Sequence, residues 1–112
     1  MADCFFPDAA LKAELLGSGD TSRKVRARGG SLMLVEVSFE TGAEGYAHEH
    51  PHEQISYCLE GEFDYTVDGV TRRLAPGDSV YVAGGLRHGT RCLSRGRLLD
   101  TFTPQREDFL GK

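Results

Sequence analysis

The chain has 112 residues, a formal net charge of −4 and 27% charged residues. That length fits one domain, residues 1–112, able to bury a core without disulfide staples. The mild negative charge argues against nucleic acid as a partner, and no apolar run is long enough to span a membrane. The three cysteines, Cys4, Cys58 and Cys92, are odd in number and form no CxxC pair, so a reducing, cytoplasmic setting is expected. Cys58 and Cys92 sit in strand-like segments and are expected to be buried as small hydrophobes.

The opening stretch lacks a basic region followed by an apolar one, so it does not read as a signal peptide. Pro7 to Leu16 is predicted as a short helix, with Asp8 as its cap and Ala9, Ala10, Leu11, Ala13, Leu15 and Leu16 following. Gly17 to Asp20 ends it. Arg23 to Arg28 reads as a basic strand whose charges mark a solvated edge or face an anionic ligand, the edge being the favoured reading. After the Gly29-Gly30 turn, Met33, Val35, Val37 and Phe39 share one parity of a strand over Ser31 to Glu40.

Gln54 to Glu60 is predicted as a strand stopping at Gly61. Glu62 to Val67 alternates with Phe63, Tyr65 and Val67 on one face. Asp68-Gly69 signals a tight hairpin, with Val70 to Leu74 returning. Pro76-Gly77-Asp78 is a turn, and Ser79 to Val82 a short strand. Two further strands, Gly89 to Leu93 and Arg97 to Thr103, are divided by Ser94-Arg95-Gly96. Short strands with glycine-rich turns at this spacing predict an all-β sandwich or small closed barrel.

His48, His50, His52 and Gln54 recur with a period of two. On a strand, alternate residues share a face, so His48, His50 and Gln54 can converge on one point. Imidazole nitrogens suit first-row transition metals, and an amide oxygen can complete the set. A fourth histidine, His88, lies on a later strand-like segment. Taken alone, the HEHPH run fits a metal site or a solvated loop equally well.

The spacing around these residues resembles the cupin superfamily. Its first motif, G-x5-H-x-H-x3/4-E-x6-G, is matched by Gly42, His48, His50, Gln54 and Gly61, with Gln54 where most cupins carry Glu. Its second, G-x5-P-x-G-x2-H-x3-N, is matched by Gly77, Gly85 and His88, with Ala83 replacing Pro and Cys92 replacing Asn. The motifs span residues 42–61 and 77–92. HEHPHEQISYCLEGEFDYTVDG and the tail LLDTFTPQREDFL further resemble the pectin-degradation cupins of the KdgF type.

The resemblance implies a single-domain cupin, a small β-barrel or jelly roll, holding one divalent transition metal on His48, His50, Gln54 and His88. Nickel, iron, manganese, cobalt and zinc all suit such a set. Gln54 brings no charge where a carboxylate would bring one, so the ion keeps its full charge and its strength as a Lewis acid. The set also departs from the carboxylate-containing triad of oxygen-activating iron sites. His52 falls at a position the cupin pattern skips, and a structural role is expected for it.

The implied substrate is a 4,5-unsaturated monouronate from pectin or alginate breakdown, converted to the linear 5-keto-4-deoxyuronate. By the same resemblance Asp100 transfers the proton, Arg106 binds the uronate carboxylate and Phe102 forms an apolar wall. Read from the residues alone, the ordinary reading of Asp100 is a surface strand-end acid, and of Arg106 a tail residue paired with Glu107 or Asp108. Tyr46, Tyr57, Tyr65 and Tyr81 are candidates for sugar contact, although strand tyrosines more often serve a core or an interface. Competing readings are a non-catalytic sugar-acid-binding cupin and a cupin dioxygenase or isomerase. A homodimer joined through sheet edges is expected.

Overall fold

A computed structural model describes residues 4–111, apart from the Tyr46 side chain. Eight strands follow one another: β1 Glu14–Leu16, β2 Thr21–Gly29, β3 Leu32–Phe39, β4 Glu44–His48, β5 Glu53–Val67, β6 Val70–Leu74, β7 Ser79–Val82 and β8 His88–Thr103. Two 3-10 turns, Asp8–Ala10 and Glu107–Leu110, stand near the ends.

The antiparallel ladder between β5 and β8 is the spine, registered from Glu53 opposite Thr103 to Val67 opposite His88. Each of these two long strands serves two layers. The first half of β5 pairs with β7 and its second half with β6. The second half of β8 pairs with β3 and its first half with β4. One layer therefore runs β1-β2-β3-β8-β5-β7 and the other β4-β8-β5-β6. Strands that change layers at a bend make the corners of such a sandwich.

The bend explains where sequence and structure part. Gly61 and Ser94-Arg95-Gly96 read as strand breaks, yet β5 and β8 run through them as bulges, with register shifts between Cys58 and Phe63. Gly61 has a φ of +79°, and a Cβ there would meet Ser94 O at 2.5 Å. A Cβ on Gly96 would meet Glu60 O at 2.2 Å. The two backbones approach too closely for any side chain at either glycine, and that approach folds one layer over the other.

The bulge also changes which residues of β5 face inward. Gln54, Ser56 and Cys58 are buried before it, and Phe63 and Tyr65 after it. The shift from even to odd positions brings Tyr65 to the same interior as Gln54.

The expected N-terminal helix is a correction. Only Asp8–Ala10 makes a helical turn, Leu11 is already extended, and Glu14–Leu16 pairs with β2. Ten residues are too few to hold a helix without an apolar face to bury, and none of the turn's residues is buried. Pairing supplies an alternative, and Arg23 bonds Glu14 across the hairpin at 2.6 Å.

Most apolar alternation matches the core. Phe39, Ala43, Cys58, Phe63, Tyr65, Leu74, Val82, Cys92 and Leu98 form one cluster. Phe39 and Phe63 meet edge to face, with centroids 5.2 Å apart, a geometry that contributes about 0.5–1.5 kcal/mol beyond area burial. Met33, Val35 and Phe102 form a second cluster, covered by Phe109 and Leu110 of the tail. Cys58 and Cys92 are free and buried. Among the described residues, no helix is long and apolar enough to cross a membrane.

Candidate active site

The two layers enclose a cavity of about 530 Å³, lined from one side by Val37, Gln54, Leu98, Asp100 and Phe102 and from the other by His48, Tyr65, His88 and Thr90. Drawn straight, β8 would hold His88 and Asp100 ~40 Å apart. Bent at Gly96, it delivers both to this one cavity.

His48 ends β4, opposite His88 at the start of β8. His50 follows in the loop before β5. One ligand atom from each of these three histidines lies within 4.8 Å of the others. The loops that carry them are tied together: Gly85 N–H donates to His50 O at 2.8 Å. Gly84 packs so closely that a Cβ would meet Pro51 O at 2.4 Å. The glycines of the second motif thus dock its loop onto the first.

The hydrogen bonds of the rings test whether a cation fits. His88 Nδ1 faces the Leu86 carbonyl at 2.9 Å, which fixes the proton there and leaves Nε2 with its lone pair. That Nε2 is buried and has no hydrogen-bond partner. His50 faces two oxygens at once: Nδ1 lies 3.1 Å from the His52 carbonyl and Nε2 lies 3.1 Å from Gln54 Oε1. A neutral imidazole has one proton for two acceptors. Burial, helped by the Arg106 charge, lowers the His50 pKa to about 4 and so keeps it neutral. Burial likewise lowers that of His88. Inward lone pairs of neutral imidazoles beside an amide oxygen are what a divalent transition ion needs. The residues present fit such an ion.

Gln54 is held from its other end. Its Nε2 donates to Ser56 Oγ at 3.0 Å and to Tyr65 OH at 3.1 Å. Ser56 Oγ donates to Asp100 Oδ1 at 2.6 Å. Asp100 is half-buried because its carboxylate opens on the cavity. Enclosure by the cavity walls pushes its pKa up to about 6, against the opposing pull of Ser56 and Arg106. Burial also raises that of Tyr65.

Arg106 lines the cavity and is bound side-on by Asp108, with Nε–Oδ1 at 3.0 Å and Nη2–Oδ2 at 2.8 Å. A guanidinium has five donors, so the edge carrying Nη1 remains for another anion. Its carbon stands 4.3 Å from the Phe109 centroid and 5.2 Å from that of Phe102. Phe102 is buried between His50 and Phe109, with centroids 5.9 and 5.7 Å away.

The structure thus brings His48, His50, Gln54, His88, Asp100, Phe102 and Arg106 to one site. His52 stays outside the histidine group; its carbonyl faces His50 Nδ1 and its ring meets the His50 ring edge-on, with centroids 5.3 Å apart. Tyr57 and Tyr81 are exposed, away from the cavity lining, and the Tyr46 side chain lies outside the described residues. Sequence reasoning passed over Ser56, although it follows Gln54 at the same strand parity. It also read Arg23 as a solvated edge. Lys24 and Arg26 do pair with Asp8 on the surface, but Arg23 lines the cavity with its guanidinium carbon 3.8 Å from the Phe109 centroid.

A two-layer β-barrel whose paired loops carry inward histidines defines the cupin class, and a cupin-domain family model matches residues 35–102. The chain is 39% identical over 108 residues to the pectin degradation protein KdgF of Dickeya dadantii, covering 95% of this chain and 97% of that protein. The solved structure of KdgF from Halomonas sp. superimposes with a TM-score of 0.88 at 34% identity, over 94% of this chain and 96% of the other. An RmlC-like cupin from Shewanella frigidimarina gives a TM-score of 0.89 at 44% identity, over 94% of each chain. The chain belongs to the cupin superfamily and, within it, to the KdgF-type pectin-degradation cupins.

Proposed function

We propose that the protein is a metal-dependent enzyme that converts 4,5-unsaturated monouronates to linear 5-keto-4-deoxyuronates. The observation that carries this reading is a carboxylate and a guanidinium, Asp100 and Arg106, facing the cavity that His48 and His88 line, where the ligand atoms of these two and of His50 come together. His48, His50, Gln54 and His88 hold the ion. When bound, it supplies a positive charge that stabilises developing negative charge on substrate oxygen.

The reaction is an isomerisation and needs no oxidant. The anomeric hydroxyl loses its proton, the bond from C1 to the ring oxygen breaks, and the released enolate takes a proton at C4. C5 then becomes a ketone and C1 an aldehyde, with no net change in formula. Asp100 moves the proton. Its pKa of about 6 lets one group accept and return it near neutral pH. Arg106 holds the substrate carboxylate on the guanidinium edge that Asp108 leaves open. Phe102 walls the apolar side.

The free cysteines fit a cytoplasmic setting. Pectin and alginate lyases both release substrates of this class. Loss of the ultraviolet absorbance of the unsaturated uronate, above its spontaneous decay, tests the reading. Stoichiometric oxygen consumption would instead favour a dioxygenase, and metal retention without turnover a binding module.

A further inference from the structure

We propose that the hydroxyls of Ser56 and Tyr65 are positioning groups that decide which end of the Gln54 amide faces the histidines. The inference rests on the reading that His48, His50, Gln54 and His88 hold the metal. An amide oxygen and an amide nitrogen are nearly equal in size, so shape does not choose between them. Only the oxygen has a lone pair for a cation. The choice falls to whatever bonds the other end.

One assignment of protons satisfies these hydrogen bonds, with the Asp100 carboxylate a further acceptor on the same side of the Gln54 amide. An ionised Asp100 carboxylate only accepts, so Ser56 gives it the single hydroxyl proton, at 2.6 Å. The Ser56 oxygen can then only accept, and its neighbours are Gln54 Nε2 at 3.0 Å and Tyr65 OH at 2.9 Å. Tyr65 donates to Ser56 and accepts the second Gln54 N–H, at 3.1 Å. Both amide protons are used, both hydroxyl protons are used, and the Gln54 oxygen is left facing His50. Turned over, that oxygen would lie against a Ser56 oxygen whose proton is already committed. Ser56, Tyr65 and Gln54 are 0%, 4% and 5% exposed, so water does not substitute for a missing partner.

The β5 bulge makes this arrangement. Without its shift of parity, Tyr65 would face away from Gln54 and Ser56. The hydroxyls therefore act on the cation through Gln54.

The test is the affinity of the folded protein for zinc(II) alone, measured by competition with a chelating dye. Tyr65→Phe, which keeps the ring, and Ser56→Ala should each bind zinc about 10–100-fold more weakly, the usual effect of removing a ligand's hydrogen-bond support. Thermal melts identify any variant that has simply lost its fold, and Tyr65→Phe then carries the test. A structural side effect would act regardless of the ligand, so Tyr65→Phe is also measured with Gln54→Glu. A carboxylate has two equivalent oxygens and no wrong end, and there the loss should nearly vanish. Wild-type zinc affinity in Tyr65→Phe, or an equal loss in both backgrounds, overturns the proposal. His88→Ala is the separate control: if it binds zinc as tightly as wild type, the metal-site reading itself fails.

Discussion

Ser56 and Asp100 stand opposite each other in the β5–β8 ladder, and the Ser56 hydroxyl donates to the Asp100 carboxylate at 2.6 Å. Ser56 alone joins the proposed proton-transfer group to Gln54, a proposed metal ligand. Position, charge and protonation of Asp100 are thereby set by the same strands that build the cavity.

Asp100→Asn keeps the shape and removes the base. The kcat is expected to fall by roughly 10²-fold or more, with a smaller change in KM, since proton transfer is felt mainly in the transition state. In wild type, kcat should rise as pH passes upward through about 6 and the carboxylate ionises. The sign for stability is opposite. A carboxylate whose folded pKa is raised binds its proton more tightly folded than unfolded, so its contribution favours the folded state at low pH. That contribution is lost as pH rises toward and through about 6. Melting of the metal-free protein against pH should show this loss in wild type and lack it in Asp100→Asn.

Arg106→Ala should raise KM strongly, because the substrate carboxylate is present both before and during reaction. The kcat falls as well where the carboxylate fixes orientation. Neither Asp100→Asn nor Arg106→Ala should release the metal, which elemental analysis of each purified variant checks. An unchanged KM in Arg106→Ala would leave this side chain as the tail residue that its pairing with Asp108 also describes.

Gly96→Ala tests the corner. The added methyl would lie 2.2 Å from Glu60 O and 2.8 Å from Gly61 Cα, both backbone atoms that cannot swing aside. Overpacking of this kind costs about 1–3 kcal/mol, which is a fall in Tm of roughly 4–20 °C for a domain of this size. An unchanged melting temperature would show that the two strands can part there without loss.

A homodimer is the expected state. β1 pairs with β2 only over Thr21 to Arg23, so the same edge of β2 beyond Arg23 has no strand against it among the described residues. An unpaired strand edge is a template for a second copy of the chain, and Lys24 and Arg26 along it are paired with Asp8. Sedimentation at micromolar concentration should give twice the mass of one chain, and only monomer would contradict the expectation.

Much of the architecture was legible because it depends on alternation. Met33, Val35 and Phe39 announce β3, and the Asp68-Gly69 turn, with φ values of 49° and 81°, announces the β5–β6 hairpin. The histidines were legible because two spaced motifs place them. The corner was not: Gly61 and Gly96 look like strand ends, and only the long-range approach of one backbone to the other makes them bulges. Ser56 and Tyr65 were obscured for the same reason, since their shared face depends on the shift in parity between them. The N-terminal stretch was misread because local helix preference yields to pairing with β2.

The central claim is metal-dependent ring opening at this cavity. Its most direct measurement is the decay of ultraviolet absorbance of a purified 4,5-unsaturated monouronate, followed with metal-loaded protein, chelator-stripped protein and stripped protein to which metal has been returned. The account predicts decay well above the spontaneous rate with loaded protein, loss of that excess on stripping, its recovery when metal is restored, and a linear 5-keto-4-deoxyuronate as product. Decay at the spontaneous rate with fully metal-loaded, folded protein would contradict it.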